Sequence, residues 1–175
     1  MKDTIRDHRD AIDMLNDLIQ LDYDAIQTYE QALKRIDDQD RDVRRDLESF
    51  RLDHERHVLE LTTLITGMRG IARDVGRDMK GVVLEGMTAL RSVTGTFGAL
   101  KAMRMNEKLT NRTYEKASKA GLPMLAVEIV TRNLADERRH LTAIEMHIDR
   151  LVAEREEEAA EAPGTVFDDH PNVRL

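Results

Sequence analysis

The residues with the clearest chemical potential in this sequence are Glu137 and His140, which lie three positions apart in a stretch with helical periodicity. Positions three apart on an α-helix lie on one face, one above the other. A glutamate and a histidine at this spacing can therefore bind the same metal ion. A near-copy earlier in the chain places His54 and His57 at the same spacing. The two motifs together predict a metal site in the middle of a helix bundle.

Both motifs interrupt an apolar stripe. The later stripe alternates steps of three and four residues and comprises Ala126, Val130, Asn133, Glu137, His140, Ile144, His147 and Leu151. The earlier one comprises Val43, Leu47, Phe50, His54, His57, Leu61 and Leu64. The polar side chains thus occupy positions where core residues belong. Burying them without partners costs on the order of several kcal/mol, so we expect a partner that satisfies them.

Composition excludes several classes of protein. With 175 residues the chain is expected to form one domain, and with 3% aromatic residues and no Trp its core must be aliphatic and Met-rich. The absence of Cys excludes disulfides, iron–sulfur clusters and thiolate zinc sites. A net charge of −7 argues against nucleic-acid partners and anionic membranes. No apolar run approaches the ~20 residues that span a bilayer, and no signal segment is evident, so we expect a cytoplasmic protein.

The helix pattern predicts an all-α bundle. Proline, the commonest helix breaker, is absent before Pro123. We predict a first helix over about residues 7–36, and a second that Asp40 caps and that ends near residue 66, at Gly67 and Gly70. A third is predicted over about residues 97–119, ended by Gly121. Pro123 is placed at the first helical position of the fourth.

The connection between the second and third helices is long. Seven of the nine glycines lie between Gly67 and Gly98, and we interpret residues 73–91 as a poorer helix within a crossover of about 68–96. A connection of this length allows the third helix to run parallel to the second, whereas the short turn near residue 38 makes the first two antiparallel. The amphipathic character of the crossover favours a subunit interface, and hence a homo-oligomer, over membrane contact.

An internal repeat links the two halves of the bundle. Residues 28–32 match 113–117, and residues 53–57 match 136–140. The alignment sets Asp22 against Glu107, each seven residues before a tyrosine, Tyr29 or Tyr114. Because seven residues make about two helical turns, carboxylate and phenol share a face. Two related hairpins packed face to face are therefore expected.

The chain resembles the ferritin-like superfamily over about residues 15–151, and bacterioferritins and rubrerythrins are the well-known members that it resembles most. The similarity rests on Asp22 and Tyr29 with their neighbours in the first helix, on Glu107, and on the two motifs. Members carry one carboxylate on each of helices one and three and Glu-x-x-His on helices two and four. The resemblance implies an antiparallel four-helix bundle with a long crossover, formed here by residues 1–155.

The resemblance also implies roles for individual residues. Asp22 and Glu107 correspond to terminal carboxylates, His57 and His140 to terminal imidazoles, and Glu137 to a bridging carboxylate. Tyr29 and Tyr114 would orient Asp22 and Glu107 by hydrogen bonds, or they are plain core tyrosines.

Position 54 departs from the family, which has a second bridging glutamate where this chain has His54. A neutral imidazole offers one lone pair and cannot bridge two ions. Three alternatives stay open: Asp53 is a substitute ligand beside His57, the site is asymmetric, or it holds a single ion. His54 itself is either a ligand or a core histidine. Glu55 stands where bacterioferritins place a haem-ligating Met, so no haem is expected.

The family implies a function in iron handling or oxidative-stress defence, namely oxidation of Fe(II) with dioxygen or peroxide. Two iron ions are expected, with one as the alternative stoichiometry and manganese or zinc as alternative metals. Whether the chain is an enzyme, a ferroxidase or a peroxide-consuming oxidoreductase, is left open. The alternative is a bundle with a degenerate or mononuclear site that serves as a structural or interaction protein under stress.

The end of the chain differs from the bundle. Residues 156–175 begin with an acidic stretch and continue into a short tail that contains Val166, Phe167 and Leu175. We expect this segment to be disordered. A second interpretation is a docking peptide for a shell protein, as in some ferritin-like cargo proteins.

Overall fold

The structure, a computed structural model, describes residues 8–74 and 93–161. Its helices are α1 (His8–Leu33), α2 (Arg41–Gly67), α3 (Gly95–Ser118) and α4 (Met124–Glu161). α1 packs on α2 and α3 on α4, while α1 also contacts α3 and α2 contacts α4. The predicted all-α four-helix bundle is confirmed. None of these helices carries a stretch that is both apolar and long enough to cross a bilayer.

The core consists of two apolar clusters separated by a polar layer. One cluster takes its larger side chains from the first half of α1, the second half of α2, the end of α3 and the first half of α4: Leu15, Leu18, Ile19, Leu61, Leu64, Ile65, Tyr114, Val130 and Leu134. The other takes them from the opposite halves and from the loop after α1: Tyr29, Ile36, Val43, Leu47, Phe50, Leu100, Met103, Ile144 and Ile148. This order shows that α2 and α3 run in the same direction, as the long crossover predicted.

The start of α3 is held by the loop that joins α1 to α2. Asp37 Oδ2 accepts a 3.1 Å hydrogen bond from the Thr96 backbone N–H, and the Asp37 N–H donates to Thr96 Oγ1 at 2.9 Å. The exchange satisfies one of the free N–H groups in the first turn of α3. It also fixes the register of α3, which carries Glu107, against the hairpin of α1 and α2.

Two of the predicted helix starts need correction. Asp40 occupies the N-cap position of α2, but its side chain makes no capping hydrogen bond because its backbone, at φ −85° and ψ 54°, is not extended. Its backbone carbonyl alone accepts, from the Arg44 N–H at 3.0 Å. Pro123 lies one residue before α4 rather than at its first position, and its carbonyl accepts from the Val127 N–H at 3.0 Å.

The end of α2 also differs in detail from the prediction. The residue with left-handed backbone is Arg69, at φ 58°, and not a glycine. The Gly70 N–H then donates to the Ile65 carbonyl at 2.9 Å, which closes the last turn. Gly70 is closely packed, since a Cβ there would lie 2.7 Å from Ile12 Cδ1 and 3.0 Å from Ile65 Cγ2, so neighbouring side chains would have to shift.

Two predictions fall on residues that the structure does not describe. Nearly all of the poorer helix at 73–91 lies there, and so does the tail from residue 162. Within the described residues, α4 continues to Glu161, beyond the predicted domain boundary at residue 155. Residues 156–161 are all Ala or Glu, which favour helix even when exposed.

Candidate metal centre

The polar layer between the two clusters contains all six predicted ligands, each with an exposed fraction of 0%. α1 contributes Asp22, α3 contributes Glu107, and the two motifs on α2 and α4 contribute the rest: His54, His57, Glu137 and His140. Each lies on the inward stripe of its helix, as the steps of three and four residues predicted. The structure therefore brings together these six candidate ligands, whereas Asp53, the substitute ligand considered above, is not among them.

The ligand atoms form two overlapping groups, each with its atoms within 4.8 Å of one another. The first group comprises Asp22, His54, His57 and Glu137, and the second comprises His54, Glu107, Glu137 and His140. Two residues, His54 and Glu137, belong to both. The candidate centre therefore has one end formed by Asp22 and His57 and another formed by Glu107 and His140. His54 and Glu137 form the middle that both ends share.

The first group is closely spaced around Asp22. The Nδ1 atoms of His54 and His57 lie 2.9 Å and 3.4 Å from Asp22 Oδ1. The same two nitrogens lie 3.5 Å and 3.3 Å from Glu137 Oε1. Two imidazoles and two carboxylates thus face one point.

The second group is more open. His54 Nε2 lies 3.8 Å from Glu107 Oε1, and His140 Nδ1 lies 3.8 Å from Glu107 Oε2. Both distances are too long for hydrogen bonds. In this half the polar atoms face a common space without contacting one another directly.

Several of these buried atoms have no hydrogen-bond partner among the described residues. They are His54 Nε2, Glu107 Oε2, both carboxylate oxygens of Glu137, and His140 Nδ1. Native proteins leave few buried polar atoms unsatisfied. Their convergence on one layer fits a bound cation, because a metal ion takes up the lone pairs of carboxylates and imidazoles together.

The tyrosines contact the carboxylates in a crossed pattern. Tyr29 of α1 donates a 2.7 Å hydrogen bond to Glu107 of α3, and Tyr114 of α3 donates one of 2.5 Å to Asp22 of α1. Burial and the neighbouring carboxylate charges raise the pKa of both phenols well above the usual range. Both therefore stay protonated and act as donors.

His57 and His140 each have an aspartate near the ring nitrogen that points away from the ligand groups. His57 Nε2 lies 3.4 Å from Asp136 Oδ2 on α4, and His140 Nε2 lies 3.1 Å from Asp53 Oδ2 on α2. The substitute-ligand role considered for Asp53 does not fit this position, because its carboxylate faces the outer nitrogen of His140 and lies outside both groups. Asp53 and Asp136 instead orient the imidazoles of the opposite helix.

Arginines hold these two aspartates in place. Arg56 donates to Asp53 at 2.9 Å and to Asp136 at 2.6 Å, and Arg139 donates to Asp136 at 2.8 Å and to Asp53 at 2.5 Å. The Arg56 and Arg139 contacts help to hold the pKa of both carboxyls below the usual range, against the effect of partial burial. The sequence reasoning missed the arginines, although both belong to the repeat that pairs residues 53–57 with 136–140.

Two other contacts were not predicted. The Asn111 side chain donates 2.8 Å hydrogen bonds to the backbone carbonyls of Glu107 and Glu137, which ties α3 to α4 at the level of the ligands. The Phe50 ring stacks on the His140 imidazole, with 4.3 Å between ring centroids. Neither side chain belongs to a recognisable motif.

The electrostatics of the polar layer favour positive charge. Burial alone would lower the pKa of His54 and His57, but the neighbouring carboxylates outweigh it and raise the pKa of His57 to about 9 and that of His54 well above its usual range. Burial raises the pKa of Glu137. Burial would raise the pKa of Asp22 too, but hydrogen bonds from His54 and His57 lower it. Protons on His54 and His57 therefore offset part of the carboxylate charge in the metal-free protein.

His147 lies outside this layer. Its Nε2 lies 2.9 Å from Asp46 Oδ2, a side-chain contact between α4 and α2.

Comparison with known proteins places the chain in a family. Residues 10–120 match the model of a family described as Domain of unknown function (DUF2383), which is more than half of the chain. The chain therefore belongs to that family. No curated protein sequence matches it.

Three solved structures share the fold. A dodecameric thioferritin, a bacterioferritin-related protein from Bacteroides fragilis, aligns over 86% of this chain and 91% of its own, with a TM-score of 0.73 and 16% identity. Ferritin-like diiron-carboxylate proteins from Bacillus anthracis align over 83% of this chain and 99% of their own, with a TM-score of 0.63 and 20% identity. A two-domain protein from Anabaena variabilis has DJ-1/ThiJ/PfpI-like and ferritin-like domains. It aligns over 97% of this chain but 42% of its own, with a TM-score of 0.67 and 10% identity. The predicted ferritin-like fold is confirmed.

Proposed function

We propose that this member of the DUF2383 family binds two divalent metal ions, iron foremost, and oxidises Fe(II) with dioxygen or peroxide as electron acceptor. One observation carries the proposal. Carboxylate and imidazole atoms from four helices converge in a fully buried layer, and many of them have no hydrogen-bond partner among the described residues. Such an arrangement is costly without a cation.

The donor set suits this chemistry. Asp22 and His57 would hold one ion and Glu107 and His140 the other, with Glu137 shared. Mixed oxygen and nitrogen ligands without thiolate suit iron and manganese, and they also accept zinc. Bound iron would supply the electrons that reduce dioxygen or peroxide.

The chain's own residues position this site and protect it. Tyr29 and Tyr114 hold the outer carboxylates by hydrogen bonds, and Asp53 and Asp136 fix the orientation of the imidazoles. The apolar clusters above and below exclude water from the layer. Partners of this kind outside the ligand set commonly affect metal affinity as strongly as some ligands do.

Fe(II) oxidation kinetics test the proposal. Fe(II) is mixed with air-saturated buffer or with peroxide, and formation of Fe(III) is followed by absorbance for wild type and Glu137→Gln. Glu145→Gln is the matched control, because Glu145 lies on the same helix with a side chain 44% exposed and pairs with Lys108. We expect acceleration by wild type and the control and its loss in Glu137→Gln. A wild type no faster than buffer would contradict the proposal.

A second candidate function rests on His54. This residue stands at the repeat position of Glu137, so the middle of the site has one carboxylate instead of two. A degenerate or mononuclear site would then serve a structural or interaction protein. It predicts no acceleration of Fe(II) oxidation, so the same kinetics separate the two functions.

We also propose that the chain assembles as a homo-oligomer. The dodecameric state of the bacterioferritin-related protein from Bacteroides fragilis supports this. Light scattering after size exclusion would test it, and a monomer at micromolar concentration would contradict it. A cytoplasmic location and a shell partner for the tail stay predictions from the sequence.

A further inference from the structure

The three histidines of the centre use their ring nitrogens differently. His57 directs Nδ1 towards Asp22 and Glu137 and Nε2 towards Asp136 outside the ligand set. His140 follows the same pattern, with Nδ1 inward and Nε2 towards Asp53. Each of these imidazoles therefore has one nitrogen for an ion and one for a carboxylate that orients the ring.

His54 has both nitrogens inside the centre. Its Nδ1 lies 2.9 Å from Asp22 Oδ1 and 3.5 Å from Glu137 Oε1, at one end. Its Nε2 lies 3.8 Å from Glu107 Oε1, at the other end, and has no hydrogen-bond partner among the described residues. His54 is also one of the two residues that belong to both ligand groups. Among the described residues, neither Asp53 nor Asp136 hydrogen-bonds to the His54 ring, since they contact His140 and His57 instead.

We propose that His54 bridges the two metal ions, with Nδ1 on the ion at Asp22 and Nε2 on the ion at Glu107. This inference rests on the proposed function, because it presupposes that ions bind. It assigns to a histidine the shared position opposite Glu137. The repeat supports the assignment, since residue 54 in the first motif corresponds to residue 137 in the second.

The charge of the layer supports the same assignment. Asp22, Glu107 and Glu137 bring three negative charges against the four positive charges of two divalent ions, and no described part of either ligand group adds a fourth carboxylate. A neutral imidazole has one lone pair and can bind one ion. When the second ion binds, it replaces the remaining ring proton, which passes to solvent. The resulting imidazolate carries the missing negative charge and has a lone pair for each ion.

The test uses Co(II) as the probe and variants at one position. Wild type, His54→Gln, His54→Glu and His147→Gln are loaded anaerobically, and cobalt per chain is measured by elemental analysis. Proton release on loading is followed with a pH indicator in weak buffer. Circular dichroism checks that each variant is folded. His147→Gln is the matched control, because it removes a histidine of α4 that lies outside both ligand groups.

We expect two ions per chain in wild type and His147→Gln. His54→Gln should bind one, because an amide offers only its oxygen as a ligand. His54→Glu should regain two, because a carboxylate can bridge, but it should release fewer protons than wild type since the ring proton is absent. Wild-type proton release and stoichiometry remain informative even if His54→Gln fails to fold.

Two results would overturn the bridge: a wild type that binds one ion, or a folded His54→Gln that binds two with unchanged proton release. Failure of the proposed function can be distinguished from failure of the bridge. A wild type that binds one ion and still accelerates Fe(II) oxidation would remove the bridge and the two-ion stoichiometry but keep the oxidase activity. A wild type that binds no ion would overturn both.

Discussion

The phenol of Tyr114 on α3 donates a 2.5 Å hydrogen bond to Asp22 on α1, so a candidate ligand of one helix is held by a tyrosine of another. Tyr29 and Glu107 form the reciprocal pair between the same two helices. The crossed contacts link the two hairpins at the level of the polar layer. They also leave each carboxylate with one oxygen fixed by a phenol.

Removing one of these donors should destabilise the metal-free protein. In Tyr114→Phe the buried Asp22 carboxylate loses its phenol, and such a loss typically costs about 1–3 kcal/mol. Urea denaturation of the metal-free chain measures the change. Tyr23→Phe, at a half-buried tyrosine of the same bundle, is the control and should change the free energy of unfolding by less. Equal changes in the two variants would contradict a specific role for the Tyr114 hydroxyl.

The outer aspartates should control metal affinity. Asp136→Asn weakens the partner of His57 Nε2 and leaves every candidate ligand in place. Loss of such a partner typically lowers metal affinity about 10–100-fold. Competition titrations with Zn(II) and a chelator would measure this. Asp149→Asn, at an exposed position of α4, should leave the affinity unchanged. An unchanged affinity in Asp136→Asn would contradict the positioning role.

Two glycines near the end of α2 should respond in opposite ways to alanine. A Cβ at residue 70 would lie 2.7 Å from Ile12 Cδ1 and 3.0 Å from Ile65 Cγ2. Overpacking of this kind typically costs about 1–3 kcal/mol. A Cβ at Gly67 would meet nothing within 4 Å, and alanine there should stabilise the helix by up to about 1 kcal/mol. Thermal denaturation compares the variants, and a Gly70→Ala protein as stable as wild type would contradict the packing argument.

The sequence identified the residues that meet in the buried polar layer, because helical periodicity decides which residues share a face. Asp22 and Glu107 were found through the repeat, and the two motifs through their spacing of three. Periodicity does not reveal which side chain of another helix lies opposite. Spacing along one helix therefore suggested that Tyr29 acts on Asp22, whereas the structure pairs it with Glu107.

Asp53 also shows that helical periodicity does not reveal contacts between helices. Its place beside a ligand in the repeat indicated importance, but its direction depends on how α2 and α4 pack, and it faces His140 across the bundle. Helix ends were less predictable still. The left-handed residue after α2 is Arg69, although glycine is the residue that usually adopts this backbone.

The most direct test of the account is the iron content of the chain. Wild type and Glu137→Gln are loaded anaerobically with Fe(II), freed of excess metal, and analysed for iron per chain. The account predicts two ions in wild type and a loss in Glu137→Gln, because Glu137 belongs to both ligand groups and neither of its buried carboxylate oxygens has a hydrogen-bond partner among the described residues. A folded wild-type protein that retains no iron would contradict the claim that this buried layer is a metal centre.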